Sequence, residues 1–425
     1  MDLREQKGLM LAATRKITRR LPKLNQFSVP SETDFGTRYA VNLDDAEQPT
    51  CTCPDFETRH VKCKHIHAAT YVLRREENPD GTTTVTETLT VTETVEKTVE
   101  RKTTYPQNWT AYNAAQSVER HRVQELLAEL VRGIAEPART GKGRKPHSVR
   151  DSIYAMVMKV YSTFSARRFS CDLKDAHANG FLSREIPGLK VPQFFENAAY
   201  APILNRLVHL SSLPLRSVET DFAVDSSGFG SSRFETWIDA KYGTPRRQVV
   251  WVKAHIACGV KTNVVTAVRI LDKHSADNPQ FLPLMNETKD GGFTIGEVSA
   301  DKAYCAYESF ESIAAMGGEP YIAFRANTTG QFGGKLEKSF HYFQLHREEY
   351  LAHYHKRSNV ESTFSMIKRK FGGEVRSKTD AAMVNEVLCK LVAHNLCVLV
   401  QEQHELGIES VFWKEEAPEL KVLAI

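Results

Sequence analysis

Hydrophobic and polar positions change their rhythm several times along the chain, and each change predicts an element. Residues 27–43 (FSVPSETDFGTRYAVNL) alternate around a cluster of turn residues, which predicts a short hairpin, and His67 to Leu73 reads as a helix that packs on it. From Trp109 to Ile134 the apolar residues Val118, Leu126, Leu127, Leu130, Val131 and Ile134 recur at helical spacing. Further helices are expected over 148–164, 170–179 and 192–210. At Phe222 the period shifts to strands: FAVDSSGF, RRQVVWVKAHIAC and NVVTAVRIL, then the helix-like PQFLPLMNETKD. Two more strands, in TIGEVSADKAY and PYIAFRA, flank a helix over 307–316. A polar stretch (327–349) precedes YHKRSNVESTFSMIK and a long apolar helix over 381–404.

Three strands, helix, strand, helix, strand and a late helix is the order of an α/β fold of the ribonuclease-H-like kind, here preceded by a helical region. The organising stretch is 354–368. As one helix at roughly 100° per residue it places Tyr354, Arg357, Glu361 and Lys368 within about 60° of one another. Val360, Phe364, Ile367 and Phe371 fall on the adjoining sector and anchor it in a core. An aromatic ring, two cations and a carboxylate in one row can grip a phosphate backbone and offer a metal ligand; the plainer reading is an exposed helix with an Arg–Glu ion pair.

Two aspartates tip that balance. Asp225 and Asp301 each follow an apolar run (Phe222-Ala223-Val224 and Val298-Ser299-Ala300) and are expected to end neighbouring strands. With Glu361 they form a hard oxygen set suited to Mg²⁺ or Mn²⁺, and two such ions about 3.5–4 Å apart serve in-line displacement at phosphorus. His255, His274 and Asp277 lie in the strand and loop region between the two aspartates; Asp277 is expected mainly as a cap of the following helix, with an approach to the metals as the alternative. Lys302 and Arg325 are candidate phosphate contacts, and Trp237 and Trp251 core residues.

Net charge is only +4, so affinity for nucleic acid has to come from local clusters: Lys356, Arg357, Lys368, Arg369, Lys370, Arg376 and Lys378, the segment 139–150 with its GKGRKP run, and residues 4–23. No membrane span or secretory signal is expected, which places the protein inside the cell. Of eight cysteines, Cys171, Cys258, Cys305, Cys389 and Cys397 are expected to be buried thiols. Cys51 and Cys53 are too close in sequence to bond each other without strain. Cys63 and His65 repeat their one-residue spacing after a nine-residue gap, giving three thiolates and an imidazole, a set suited to tetrahedral zinc. His60 and His67 are expected to be spectators. The Thr-rich run 82–104 reads as a linker or one long strand.

The motif Cys-x-Cys-x9-Cys-x-His, with Pro54-Asp55-Phe56 and Lys64-His65-Ile66, resembles the SWIM-type zinc finger, which implies a small strand–strand–helix module that binds DNA or protein. Residues 105–404 resemble DDE transposases of prokaryotic insertion sequences, on Tyr-x2-Arg-x3-Glu-x6-Lys (Tyr354, Arg357, Glu361, Lys368), FAVDSSGF and ADKAY. That resemblance implies Asp225, Asp301 and Glu361 as a metal-binding catalytic triad. It also implies DNA contacts from Tyr354, Arg357 and Lys368, which the neighbouring Arg369 and Lys370 extend. It further implies double-stranded DNA (element ends and target) as partner, a homo-oligomeric synaptic complex and a cytoplasmic, nucleoid-associated location. The expected divisions are a finger region (1–78), linker (79–104), helical region (105–215), catalytic domain (216–404) and tail (405–425). The gap between Asp301 and Glu361 is too short for a whole inserted domain. The rival functions are a DNA-binding regulator with a vestigial triad and a metal-dependent nuclease that does not join strands.

Overall fold

The expected hairpin between 27 and 43 forms as strands Gln26–Pro30 (β2) and Arg38–Asn42 (β3), paired antiparallel. Short strands Thr18–Arg19 (β1) and Thr50–Cys51 (β4) extend it to four. In this computed structural model the described residues are 3–20, 25–32, 34, 36–45, 48–73, 75–77, 83–85, 108–137, 146–231, 251–272 and 275–413. They divide into two units, Met1–Thr103 and Thr104–Ile425.

In the first unit the helix Lys64–Leu73 buries Ile66, Ala68 and Ala69 against Phe27, Val29 and Val41. The helix Leu3–Thr14 crosses it at Gly8, where a Cβ would stand 2.5 Å from His67 Cβ, so only glycine allows the approach. Arg75–Glu77 (β5) pairs with Thr83–Val85 (β6), and the rest of the Thr-rich run lies outside the described residues.

The second unit is built on the helix Asp380–Glu405. Apolar on nearly every side, it packs against helices Trp109–Arg132, Val149–Ser162 and Tyr200–Ser212 on the same core cluster as one face of the sheet. This helix is long and apolar enough to cross a membrane, contrary to the expectation of no such segment, but nearly all of its most apolar stretch is enclosed by the fold. Asn395 shows why it lies where it does. Fully buried, it accepts from Val265 N at 2.9 Å and donates to Val265 O at 2.7 Å, so it closes a polar end of the edge strand that would otherwise stay unpaired.

The sheet runs Glu319–Ile322 (β11), Glu297–Ala300 (β10), Phe222–Ser231 (β7), Trp251–Gly259 (β8), Val265–Asp272 (β9). β11, β10 and β7 are parallel, and β8 and β9 antiparallel. Alternate residues of β7 feed two cores: Ala223 and Phe229 pack toward the long helix, Phe222 and Val224 toward helices Asn278–Asp290 and Tyr307–Ala315.

Several expectations need correcting. Asp225 does not end its strand: β7 continues for six residues beyond it, held by antiparallel pairing with β8 as far as Gly230. The polar stretch 327–349 contains the helix Gly334–Leu345, whose Phe340 and Phe343 rings pack on Phe324. Cys171 is exposed, on the outer face of the helix Ala166–Ala178, while Cys305 and Cys397 are half-buried. Trp251 is half-buried over Gly228. Trp237, His274 and most of GKGRKP lie outside the described residues.

Candidate active site and metal centre

β10 pairs with β7 only as far as Ala300 against Val224. Asp301 and Asp225 are therefore the next residues on adjacent parallel strands, at the carboxyl edge where the ladder opens. On that side of β7 the pairing resumes only at Gly230 and Ser231, with Glu374–Val375 (β12). Among the described residues, Asp225 to Phe229 have no strand partner there, and the helix Ser358–Phe371 packs on β7.

The signature row is not one helix. Arg347–Tyr354 is a helix, His355–Arg357 a 3₁₀ turn, and Ser358–Phe371 the next helix, with Val360, Phe364, Ile367 and Phe371 buried as its spacing predicts. The turn swings Arg357 over the strand ends. Its Nη1 donates to Asp225 Oδ2 at 2.8 Å and its Nη2 to Glu361 Oε1 at 2.6 Å, so one guanidinium holds two carboxylates that are 136 residues apart in sequence. Asp225 Oδ1 also accepts from Ser226 N at 2.7 Å, and Asp301 Oδ1 from Lys302 N at 2.6 Å. Burial raises the Asp225 carboxyl above the usual range, opposed by the Ser226 amide and Arg357 and reinforced by the negative charges of Asp301 and Glu361. A partly buried carboxylate crowded by two more is a donor set that fits a hard divalent cation. The Glu361 side chain itself is largely exposed and turned to Arg357.

Burial also raises the Tyr354 phenol, with Arg357, Asp301 and Asp225 all near it. Lys368 Nζ donates to Ser227 Oγ at 2.7 Å and lies 5.1 Å from the centroid of Phe229, beside the open stretch of β7. Arg369 is exposed. Lys370 is exposed as well, but its ammonium is held 2.5 Å from the buried Glu119 Oε2.

Behind the strand, Asp277 occupies the cap position of Asn278–Asp290 but caps nothing with its side chain. Its carboxylate instead meets Lys253 at 2.5 Å, Ser226 Oγ at 3.0 Å and the buried His255 at 3.4 Å. Burial holds the His255 imidazole down at about 4, so it is neutral there. Arg325 braces the turn after Asp301 through Lys302 O and Ala303 O, both at 3.2 Å. Sequence reasoning missed Lys390, a lone lysine in an apolar helical run whose Nζ donates to Gly372 O at 2.8 Å and Glu374 O at 2.6 Å. It fixes the turn that follows the signature helix.

In the first unit Cys51, Cys53, Cys63 and His65 are all buried, with ligand atoms within 4.8 Å of one another. Cys63 Sγ and His65 Nδ1 are 3.9 Å apart, close to the edge of about 3.6 Å that tetrahedral zinc imposes. Hydrogen bonds, foremost from the Cys51 thiol, hold Cys63 well below the usual thiol range, while the contact with Cys63 and burial push Cys51 up and burial pushes Cys53 up. His65 Nε2 is buried without a partner. His60 is exposed in a left-handed turn, and His67 is half-buried against Gly8.

The second unit thus defines an α/β domain of the ribonuclease-H-like class with Asp301 just past the end of β10 and Asp225 beside it within β7. Residues 216–396 match the family of the transposase DDE domain, and residues 39–73 match the SWIM zinc finger. The chain carries a transposase DDE domain behind an N-terminal SWIM zinc finger. No curated protein and no solved structure matches it.

Proposed function

We propose that the protein is a DNA transposase that binds the ends of a mobile element, cleaves phosphodiester bonds there and joins the freed 3′-hydroxyl ends to target DNA. The observation that carries this reading is the register of β7 and β10, which sets Asp225 beside Asp301, together with the single guanidinium that ties Asp225 to Glu361. Asp225, Asp301 and Glu361 would hold Mg²⁺ or Mn²⁺, which supplies Lewis-acid polarisation of the phosphoryl oxygens and a more acidic attacking hydroxyl.

The chain's own groups do the rest. Arg357 compensates the crowded carboxylates before DNA arrives and afterwards faces the phosphate. Tyr354 and Lys368 line the same open strand and orient the backbone, and Arg369 adds charge on the exposed side. Asp277, through Ser226, and Arg325, through the turn at Lys302, keep the two aspartates in place. Water as nucleophile gives a nick, and a 3′-hydroxyl gives a joint with the same residues in the same roles. Zinc on Cys51, Cys53, Cys63 and His65 organises the finger as a second binding module.

The test uses labelled duplex carrying the inverted termini that flank the gene, with Mg²⁺. Wild-type protein is expected to yield both nicked and joined products. Nicks without joints would reduce the reading to a nuclease, and binding without either would reduce it to a regulator.

A further inference from the structure

A second cationic feature lies past the far end of the signature helix. Phe371, Arg376, Lys378, Lys159 and the buried Lys390 line a cleft of about 410 Å³. Two helices begin at its rim, Ala166–Ala178 capped by Ser165 and Asp380–Glu405 capped by Thr379.

What sets it apart is a clash of like charges. Lys159 Nζ and Arg376 Nη1 both donate to one neutral oxygen, Phe164 O, the second at 3.5 Å. Desolvation, and then the positive charge of Arg376, press the Lys159 ammonium toward its neutral form. Glu386, which with Glu196 also lines the cleft, offsets this only in part, and the Lys159 ammonium stays pressed toward its neutral form. Glu386 already accepts from Arg376 N, Ser377 N and Ser377 Oγ at 2.7–3.0 Å and has Lys390 beside it at 3.9 Å. Two cations that converge on a carbonyl at the wall of an open cleft are favoured by an anion between them.

We propose that this cleft is a phosphodiester-binding subsite, in which Lys159, Arg376 and Lys378 hold a backbone phosphate of the same DNA whose scissile bond lies at Asp225 and Asp301. The inference rests on the transposase reading for the identity of the anion. Ten helical residues separate Glu361 from Phe371, roughly 15 Å, or about four base steps of duplex from the scissile phosphate. Lys368 lies between the two points, so the signature helix and the cleft form one track. Lys390 and the Ser377–Glu386 bonds hold the wall of the cleft to the core.

The experiment measures affinity for a mixed-sequence duplex across a salt series, because phosphate contacts do not depend on sequence. Arg376→Gln with Lys378→Gln is expected to weaken binding roughly tenfold near 0.1 M salt and to reduce the slope of log K against log salt by about one. Arg376→Lys with Lys378→Arg should keep the wild-type slope. Binding is measured in EDTA, where no metal-dependent cleavage can occur, so the slope does not depend on whether the chain cleaves DNA and this test stays separate from that of the transposase reading. Hydrogen exchange on the unaltered protein gives a second readout: adding the duplex should protect residues 163–168 and 376–380. An unchanged slope in the double Gln variant, or no protection there, overturns the proposal.

Discussion

Arg357 and Asp225, 132 residues apart in sequence, meet at 2.8 Å, and the same guanidinium reaches Glu361 at 2.6 Å. It stands where a cation is needed, among carboxylates that crowd one another. Arg357→Gln should therefore destabilise the metal-free protein near pH 7 by about 1–3 kcal/mol, the range for an unpaired, partly buried charge. Lowering the pH, which favours the protonated carboxyl that burial already raises, or adding millimolar Mn²⁺ should restore most of that. Thermal melts with EDTA and with Mn²⁺ check it, and equal melting of variant and wild type in EDTA at pH 7 would contradict it.

Asp225 itself has the opposite sign. Its carboxyl is raised in the fold above its unfolded value, so the stability it contributes is present at low pH and is lost as pH rises through the folded value. Asp225→Asn removes that penalty. The variant should melt a few degrees (about 2–4 °C) above wild type in EDTA at pH 7 and lose the stabilisation that Mn²⁺ confers on wild type.

Glu402 on the long helix gives a cleaner pH test because it is remote from the strand ends. Burial, with Glu405 beside it, lifts its carboxyl to about 7. Stability is full below the unfolded value near 4.5 and falls as pH rises through about 7. Glu402→Gln should match wild type at pH 4.5 and exceed it by about 1–3 kcal/mol at pH 8, read from urea unfolding at both pH values.

Much of this was legible in the sequence, and the failures have physical causes. Val360, Phe364, Ile367 and Phe371 fell on one buried sector because helical spacing alone decides that. The finger's four ligands converged because their spacing leaves few other arrangements. The 3₁₀ turn His355–Arg357 was invisible, since it is a change of backbone bonding inside a helical run with no side-chain marker. The strand beyond Asp225 was missed because its continuation depends on β8, which sits across a long intervening segment. Gly334–Leu345 reads only as part of a polar stretch because its apolar contacts are aromatic rings interleaved with charge. Lys390 and Asn395 have partners 16–18 and 130 residues away, and only the fold brings those together.

Asn395 illustrates how much such a partner matters. Its Nδ2, with two hydrogens to give, lies within hydrogen-bonding distance of Val208 O, Ser211 Oγ and Val265 O, and its Oδ1 accepts from Val265 N, all in the core. Asn395→Leu leaves those groups unpaired and should cost about 2–4 kcal/mol in urea unfolding.

For the finger, elemental analysis of purified protein should find about one zinc per chain, as a single tetrahedral site requires. Cys63→Ser should lose it while the melting of the Thr104–Ile425 unit is unchanged. A wild-type protein free of zinc would contradict the assignment.

The most direct measurement uses labelled end duplex with Mg²⁺ and four proteins: wild type, Asp225→Asn, Asp301→Asn and Glu361→Gln. Wild type should give nicked and joined DNA that EDTA abolishes, while each variant binds the duplex and gives neither product. Products from any variant at the wild-type rate, or products that persist in EDTA, would contradict a shared carboxylate centre.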